Sequence, residues 1–566
     1  MNLIKPLVRS SRSLMSSSEL NPQFLREVKG KLKGINLIIT VFVSVFIQLG
    51  IVINRLGMLP DSLPGKYRKE YSRYCFATEA DKGQEYSSRL CHTDLLGHWD
   101  INWQLFWLDL FIDLSVIVVL SLLIGGVFLL IADLVKEKER GTLSFIQFSP
   151  QSARTILRGK ILGVPILLYI AVLFAFPLHF VAALQGGVSL NLIFWFDVIV
   201  LACCWLFYSL ALLFSFVRTN FVGLKPWLGT GLLATVLMIS TESLVYHGSA
   251  YNKNLFDWIL LFNPLSILPY LIDHSNLSNS YGYYFPIDEI KEISFYGKHL
   301  WESNLGIGFA LVNYYICQHW IWEGLKRCFD NPNNTTFSKQ QSYGITICFM
   351  FYALGFTLQT TDFDELFISL LALQFTLVIF FLLLTYLLSP KYQTIQDWTR
   401  YRHQFQKSER SIWKDLLLGE KSPPIIAIVA NLALATLYII PAFLFFNFTK
   451  YPQQAILGFL TGISAIFVYV FIVQRLLLIK HQKREIWSFV TVFALIMIPP
   501  IFIEIAGIEG SSATLITFLP NAIMDNVGLS AMITTLLGQW LIIALTGLQM
   551  TKQLQQMGKT ETYLIS

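Results

Sequence analysis

Lys136-Glu137-Lys138-Glu139-Arg140-Gly141-Thr142-Leu143-Ser144-Phe145-Ile146-Gln147-Phe148-Ser149-Pro150 separates two long apolar runs, residues 105–135 before it and 161–184 after it. Each run can cross a bilayer as a helix, which takes about 20 residues. The charged stretch is therefore a polar connector between two membrane helices. The first run with its charged tail exceeds the length a bilayer needs, so that helix is expected to project beyond the membrane. Gly141 should break it, and Thr142 should cap a short helix carrying Leu143, Phe145, Ile146 and Phe148. Ser149 and Pro150 are expected to open the helix after it, as N-cap and first residue. Four large apolar residues in a polar connector need a partner surface.

The rest of the chain repeats the theme. It is 54% hydrophobic and 14% charged, against roughly 25% charged for soluble domains. Twelve apolar runs recur, at about 34–53, 105–135, 161–184, 190–217, 226–244, 303–324, 344–361, 366–388, 424–447, 455–478, 486–506 and 527–548. Backbone polar groups in lipid must be satisfied within helices or closed barrels, and runs of this length are not barrel strands. The expected fold is an all-α polytopic membrane protein of about twelve transmembrane helices, arranged as two parallel six-helix halves, 1–330 and 331–566. Between the halves lies the polar linker Asp330-Asn331-Pro332-Asn333-Asn334.

Lys and Arg set the orientation. With the N-terminus inside, 31 of the 42 fall in inner segments and 11 outside, seven of these in one long outer loop, 54–104. Long loops cross with little regard to charge. Both termini are expected in the cytoplasm and the protein in the cell (inner) membrane. The net charge of +6 expresses this bias, and no nucleic-acid partner is expected.

Seven cysteines are present. Cys203, Cys204, Cys317 and Cys348 fall within spans, where cysteine is a small core residue, and Cys328 lies just inside. Cys75 and Cys91 share the outer loop and form a disulfide if it faces an oxidising compartment; two free thiols are the alternative. Residues 1–20 lack the apolar core of a secretory signal, so no cleaved leader is expected. Asn21 and Pro22 then open a helix. Phe24, Leu25, Val28 and Leu32 lie near one face, with Arg26, Lys29, Lys31 and Lys33 elsewhere, as in a helix lying on the inner bilayer surface with its cations toward anionic headgroups.

Ionisable residues within spans are few. Asp109 and Asp113 share a helix face near the outer end of the second span, where they line a pathway or reach interfacial water. Asp197 lies somewhat deeper, Glu504 sits toward the outer end of its span, and His179 is expected to be packed. No titratable chain crosses the middle, which argues against a proton-driven pump. Gly558-Lys559-Thr560 lacks the earlier glycine of a phosphate loop, with Gln553 in its place. No catalytic, cofactor-binding or metal-binding constellation is evident.

Residues 137–150 resemble the permease subunit of type-2 ABC exporters. That family carries Glu-Arg-Gly-Thr-Leu, a short apolar stretch and Ser-Pro between its second and third spans, as here in Glu139-Arg140-Gly141-Thr142-Leu143 and Ser149-Pro150. Arg158-Gly159-Lys160 resembles the end of that loop, Asn21-Pro22 through Arg26-Glu27 its inner-surface helix, and Asn263-Pro264 a landmark after the fifth span. The resemblance covers residues 20–330. In the second half, Glu409-Arg410 is followed by Ser-Ile, and the stretch 394–423 is the loop's weaker counterpart, with Trp398, Tyr401, Phe405, Ile412, Trp413, Leu416 and Leu417 on its apolar faces. The resemblance implies a transmembrane permease with no catalytic residue or cofactor of its own. Its partners are the lipid bilayer, two copies of a separate ABC ATPase that hydrolyses ATP and, where one chain does not form the whole pathway, a second permease chain. It assigns the ATPase contact to Glu139, Arg140, Gly141, Thr142, Leu143, Phe145, Ile146, Phe148 and Pro150. Competing readings are a lipid-linked glycosyltransferase-like membrane enzyme using Asp109 and Asp113, and a secondary transporter.

Overall fold

The computed structural model describes residues 21–60, 71–76, 89–93, 98–217, 222–246, 255–274, 291, 293–301, 305–359, 363–404, 412–445, 452–481, 483–506 and 529–559. Among them the only sheets are two short antiparallel ribbons, β1 (Tyr71–Ser72) with β2 (Arg89–Leu90) and β3 (Ser294–Phe295) with β4 (Lys298–His299). Nearly everything else is helix, and eight of the described helices are long and apolar enough to cross a membrane. Helices of that length close all their own backbone hydrogen bonds, which lipid requires. The protein is an all-α, multi-pass membrane protein.

Contacts divide the chain into two compact units, one made of Met1–Ala250, Leu260–Lys291 and Trp301–Asp330, the other of Tyr251–Ile259, Glu292–Leu300 and Asn331–Ser566. The first contains α1 (Pro22–Lys31), α2 (Gly34–Leu56), α3 (Trp103–Glu139), α4 (Thr142–Gln147), α5 (Ala153–Gly163), α6 (Ile166–Gln185), α7 (Leu190–Phe216), α8 (Lys225–Tyr246), α9 (Leu268–Asp273) and α10 (Leu305–Asp330). Four of the eight long apolar helices are here: α2, α3, α6 and α7. At 1.5 Å per residue, the 37 residues of α3 span about 55 Å, well beyond the hydrocarbon thickness of about 30 Å. The helix is therefore long enough for the projection expected from the sequence.

α3 is continuous but not uniform, with a π-helical turn at Ser121–Gly125. Such a turn loosens the regular ladder, and Tyr208 of α7 donates its hydroxyl hydrogen to the Leu122 carbonyl at 2.8 Å. Gly126 makes room for it, since a Cβ there would lie 2.1 Å from the tyrosine oxygen.

The second unit contains α11 (Lys339–Thr357), α12 (Phe363–Leu388), α13 (Tyr392–Gln404), α14 (Ile412–Leu418), α15 (Ile425–Phe445), α16 (Pro452–Leu477), α17 (Arg484–Ile505) and α18 (Leu529–Lys559). The other four long apolar helices are α12, α16, α17 and α18, and α15 adds a shorter apolar stretch, Ile425–Pro441. Helices also occupy the remaining expected spans; α8, α10 and α11 are not among the eight, and α10 and α11 carry many polar residues. In α11 those residues have partners: Thr346 donates to Asn431 Oδ1 of α15 and the Asn431 amide donates to Ser342, both at 2.8 Å. Interhelical bonds of this kind hold helices together where lipid offers no hydrophobic drive.

Lys339, 2% exposed at the start of α11, donates to Leu416 O at 2.8 Å, Ser422 Oγ at 2.7 Å and Pro423 O at 3.2 Å. Burial pushes its ammonium down to about 7, with Asp415 pulling the other way. Between that value and the ordinary 10.5, the unfolded chain holds the proton more firmly than the folded one, so stability rises with pH there. The thermal midpoint in detergent should climb from pH 7 to pH 9, and Lys339→Met should flatten that slope.

Candidate coupling site

The connector between α3 and α5 builds the site. α3 stops because Gly141 takes a left-handed turn, φ 70°, that only glycine adopts without cost. Gly141 occupies the N-cap position of α4 and Thr142 is already helical, so the cap expected at Thr142 is displaced by one residue. Its hydroxyl instead donates to Glu137 O at 3.2 Å. The next helix begins at Ala153, capped by Ser152, whose Oγ accepts from Thr155 N at 3.2 Å. The expected start at Ser149-Pro150 is thus three residues early, because Ser152 has the hydroxyl in capping reach.

The four apolar residues of the connector divide into two faces. Leu143 and Ile146 are 8% and 5% exposed, whereas Phe145 and Phe148 are 82% and 89% exposed. A spacing of three places each pair on one side of a helical turn. The inner pair anchors α4 to its unit, helped by Gln147, whose amide donates to Phe329 O at the end of α10 at 2.9 Å. The outer pair has no cover. Glu139, Arg140, Gly141 and Pro150 are exposed beside it.

Behind the connector lies an ion-pair hub that the sequence reading missed. Lys160 of α5, 1% exposed at its side chain, stands 2.7 Å from Asp133, 2.8 Å from Glu137 and 3.6 Å from Glu27. Burial alone would push the ammonium down, but Asp133, Glu137 and Glu27 outweigh it and hold it above its ordinary range. The carboxylates lie close enough to one another to hold a metal ion, but the lysine already supplies the positive charge. One side chain thereby ties the projecting end of α3 to α5 and to α1.

α1 docks as closely as glycine permits. A Cβ on Gly159 would sit 2.9 Å from Gln23 Cβ, and one on Gly163 2.6 Å from Glu27 Cβ. The spacing of four places both glycines on the face of α5 that receives α1. Asn21 caps α1 as expected, accepting from Gln23 N at 3.0 Å and Phe24 N at 3.5 Å, with Pro22 at the first position. Its amide also donates to Thr155 O at 2.5 Å. Arg26 reaches Glu137 at 2.5 Å and Lys31 donates to Val164 O at 2.8 Å; Lys29 is exposed and Phe24 half-buried. The face turned inward is polar, Gln23 and Glu27, because the lysine it meets is charged. Gly163→Val should overpack this contact, lowering stability by about 1–3 kcal/mol, measured as a drop in the thermal midpoint.

At the other end of α3, Asp109 and Asp113 pair with arginines. Arg55 meets Asp113 at 2.5 and 2.6 Å, and Arg73 meets Asp109 at 2.8 and 3.1 Å. Asp109 is 3% exposed. The segment supplying Arg73 is pinned by a disulfide between Cys75 and Cys91, Cα–Cα 5.1 Å, and by bridges from Cys75 to Ile101 and Thr93 to Trp99. His179 is packed on Phe111 and hydrogen-bonded to Ser115 at 2.9 Å. The side chains of Phe405, Glu409, Arg410 and Glu504 lie outside the described residues.

Residues 37–281 match the family model for the ABC-2 family transporter protein. No curated protein and no solved structure matches the chain. The matched segment holds the connector, Asp133, Glu137 and Lys160, and leaves α1 just outside. The part of the chain from 37 to 281 thus matches an ABC-2 family transporter domain, a match consistent with an ABC-2 type permease.

Proposed function

We propose that this permease is an exporter driven by a separate ABC ATPase, whose docking site is α4. The observation that carries the reading is the exposed pair Phe145 and Phe148 on a helix whose opposite face is anchored. A partner that buries those rings can push on α4, and the Lys160 hub transmits the push to α1, α3 and α5 together. On this reading both termini are cytoplasmic in the cell (inner) membrane, and α1 lies along the inner surface of the bilayer. The twelve helical segments act as two parallel six-helix halves, 1–330 and 331–566. Two copies of the ATPase serve them.

The second copy engages α14, where Ile412 and Trp413 are 54% and 64% exposed. Arg402 of α13 pairs with Asp415 of α14, bracing that helix from behind. A single chain then supplies the whole pathway; the alternative is pairing with a second permease chain. The membrane-enzyme reading has little support, since Asp109 and Asp113 are both committed to arginines. Co-purification with the ABC ATPase encoded beside this chain is the test, with a photo-crosslinker in place of Phe148. Crosslinks to the ATPase are expected. Absence of both complex and crosslink would remove the proposal.

A further inference from the structure

The first unit contains a cavity of about 490 Å³ between α5, α7 and α10 that the coupling site does not use. Arg154 and Arg158 stand at one end, four residues apart and so on one face of α5. Trp205, Tyr315 and Trp322 form much of its wall. The wall is built rather than incidental. With its amide oxygen turned inward, Gln318 accepts from the indole N–H of Trp205 and the hydroxyl of Ser209, each at 2.8 Å, and from the indole N–H of Trp322. The indoles of Trp205 and Trp322 stack with centroids 6.3 Å apart, and the Arg158 guanidinium lies over Trp322 at 5.8 Å.

Charge and depth narrow the occupant. Glu323 lies on the rim but pairs with Lys326 at 2.5 Å. Among the described residues neither Arg154 nor Arg158 has a carboxylate at ion-pair distance; Glu323 feels the charge of Arg154 only from farther off, so the rim is net positive. From Trp322 up to Leu311, the wall follows α10 for about 16 Å at 1.5 Å per residue. That is about half the hydrocarbon thickness of about 30 Å, the depth of one leaflet. α10 is too polar to count among the eight apolar helices, yet it packs along α7, which is one of them. Polar groups on a helix packed along a membrane span, with cations at one end, mark a site, and Tyr315, 75% exposed, leaves the side of the cavity open.

We propose that this cavity binds one anionic phospholipid, its phosphate between Arg154 and Arg158 and an acyl chain along Tyr315 toward Leu311. Basic pockets between membrane helices take acidic headgroups in this way. The orientation proposed above makes the leaflet the inner one.

The full chain, without any ATPase, is reconstituted in phosphatidylcholine nanodiscs doped with a photo-reactive phosphatidylglycerol or with a photo-reactive phosphatidylcholine. Labelled peptides are then mapped by mass spectrometry. The phosphatidylglycerol probe should label the α7 and α10 walls, and Arg154→Gln with Arg158→Gln should reduce that labelling by about tenfold or more, as expected for loss of charge-assisted contacts. The Arg→Lys pair should retain most of it. If the double variant fails to fold, Arg154→Gln alone carries the comparison, since that residue is exposed. Equal labelling by both probes, or labelling indifferent to the arginines, overturns the proposal. Complete suppression by millimolar inorganic phosphate would show a free-anion site and also overturn it. Because the assay contains no ATPase, a negative result leaves the coupling proposal standing.

Discussion

Phe145→Ala combined with Phe148→Ala should weaken capture of the ABC ATPase by about 30-fold or more, the effect of losing about 2 kcal/mol at an interface centre, while the protein melts as before. The two halves of that expectation come from the two faces of α4. Phe145 and Phe148 touch little in the isolated chain, so removing them costs the fold almost nothing. Two aromatic rings brought out of water onto a partner are the kind of anchor that dominates binding. Leu143→Ala is the matching control. It empties a buried position, so it should lower the stability around α4, by about 2–5 kcal/mol for a core leucine, and weaken binding only through that loss. Equilibrium binding of the purified ATPase and a thermal midpoint, measured on all three proteins, separate the cases. Unchanged affinity in the double variant would move the docking site away from α4. Trp413→Ala extends the experiment to α14: it should remove one of two bound ATPases and halve the stoichiometry.

Hydropathy and charge made the membrane class legible, because lipid imposes length and apolarity locally, one helix at a time. The break at Gly141 was legible for the same reason, since a backbone turn is written in one or two residues. What stayed hidden depended on contacts across the chain. Lys160 is over a hundred residues from Glu27 in sequence, and nothing local says that they meet. The available signal is Gly159 and Gly163, whose spacing marks a face of α5 that receives another helix closely; the physical reason for Arg158-Gly159-Lys160 is this close approach. That α1 turns Gln23 and Glu27 toward α5 was hidden likewise, because the lysine they meet lies far along the chain. The partners of Asp109 and Asp113 stayed hidden because Arg55 comes from the last turn of α2 and Arg73 from within a long loop. The aromatic cavity was invisible because its walls come from three helices.

Lys160→Met should be the most damaging single substitution in the first unit, lowering stability by about 3–5 kcal/mol, the usual result of removing one partner from a buried ion pair. In a unit of this size that corresponds to a fall of about 5–8 °C in the thermal midpoint. Without the ammonium, Glu27, Asp133 and Glu137 face one another with only Arg26 and Lys31 nearby. The double variant Lys160→Met with Asp133→Asn should recover part of the loss, because one of the uncompensated charges goes with it. Nonadditivity of the two changes measures the pair directly.

The pH dependence has a definite sign. Lys160 is held above its ordinary value, so its contribution is complete below about pH 10.5 and disappears only as pH rises through the higher folded value. The gap between wild type and Lys160→Met should therefore not shrink as pH rises from 7 to 9. A gap that shrinks within that range would mean that the lysine is not held by its carboxylates. At a temperature where the variant stays folded, it should still bind the ATPase, since Phe145 and Phe148 are untouched. Transport per ATP hydrolysed should fall, because α1 and α3 no longer move with α5. Loss of coupling with retained binding distinguishes a transmitting hub from one that only holds the fold together.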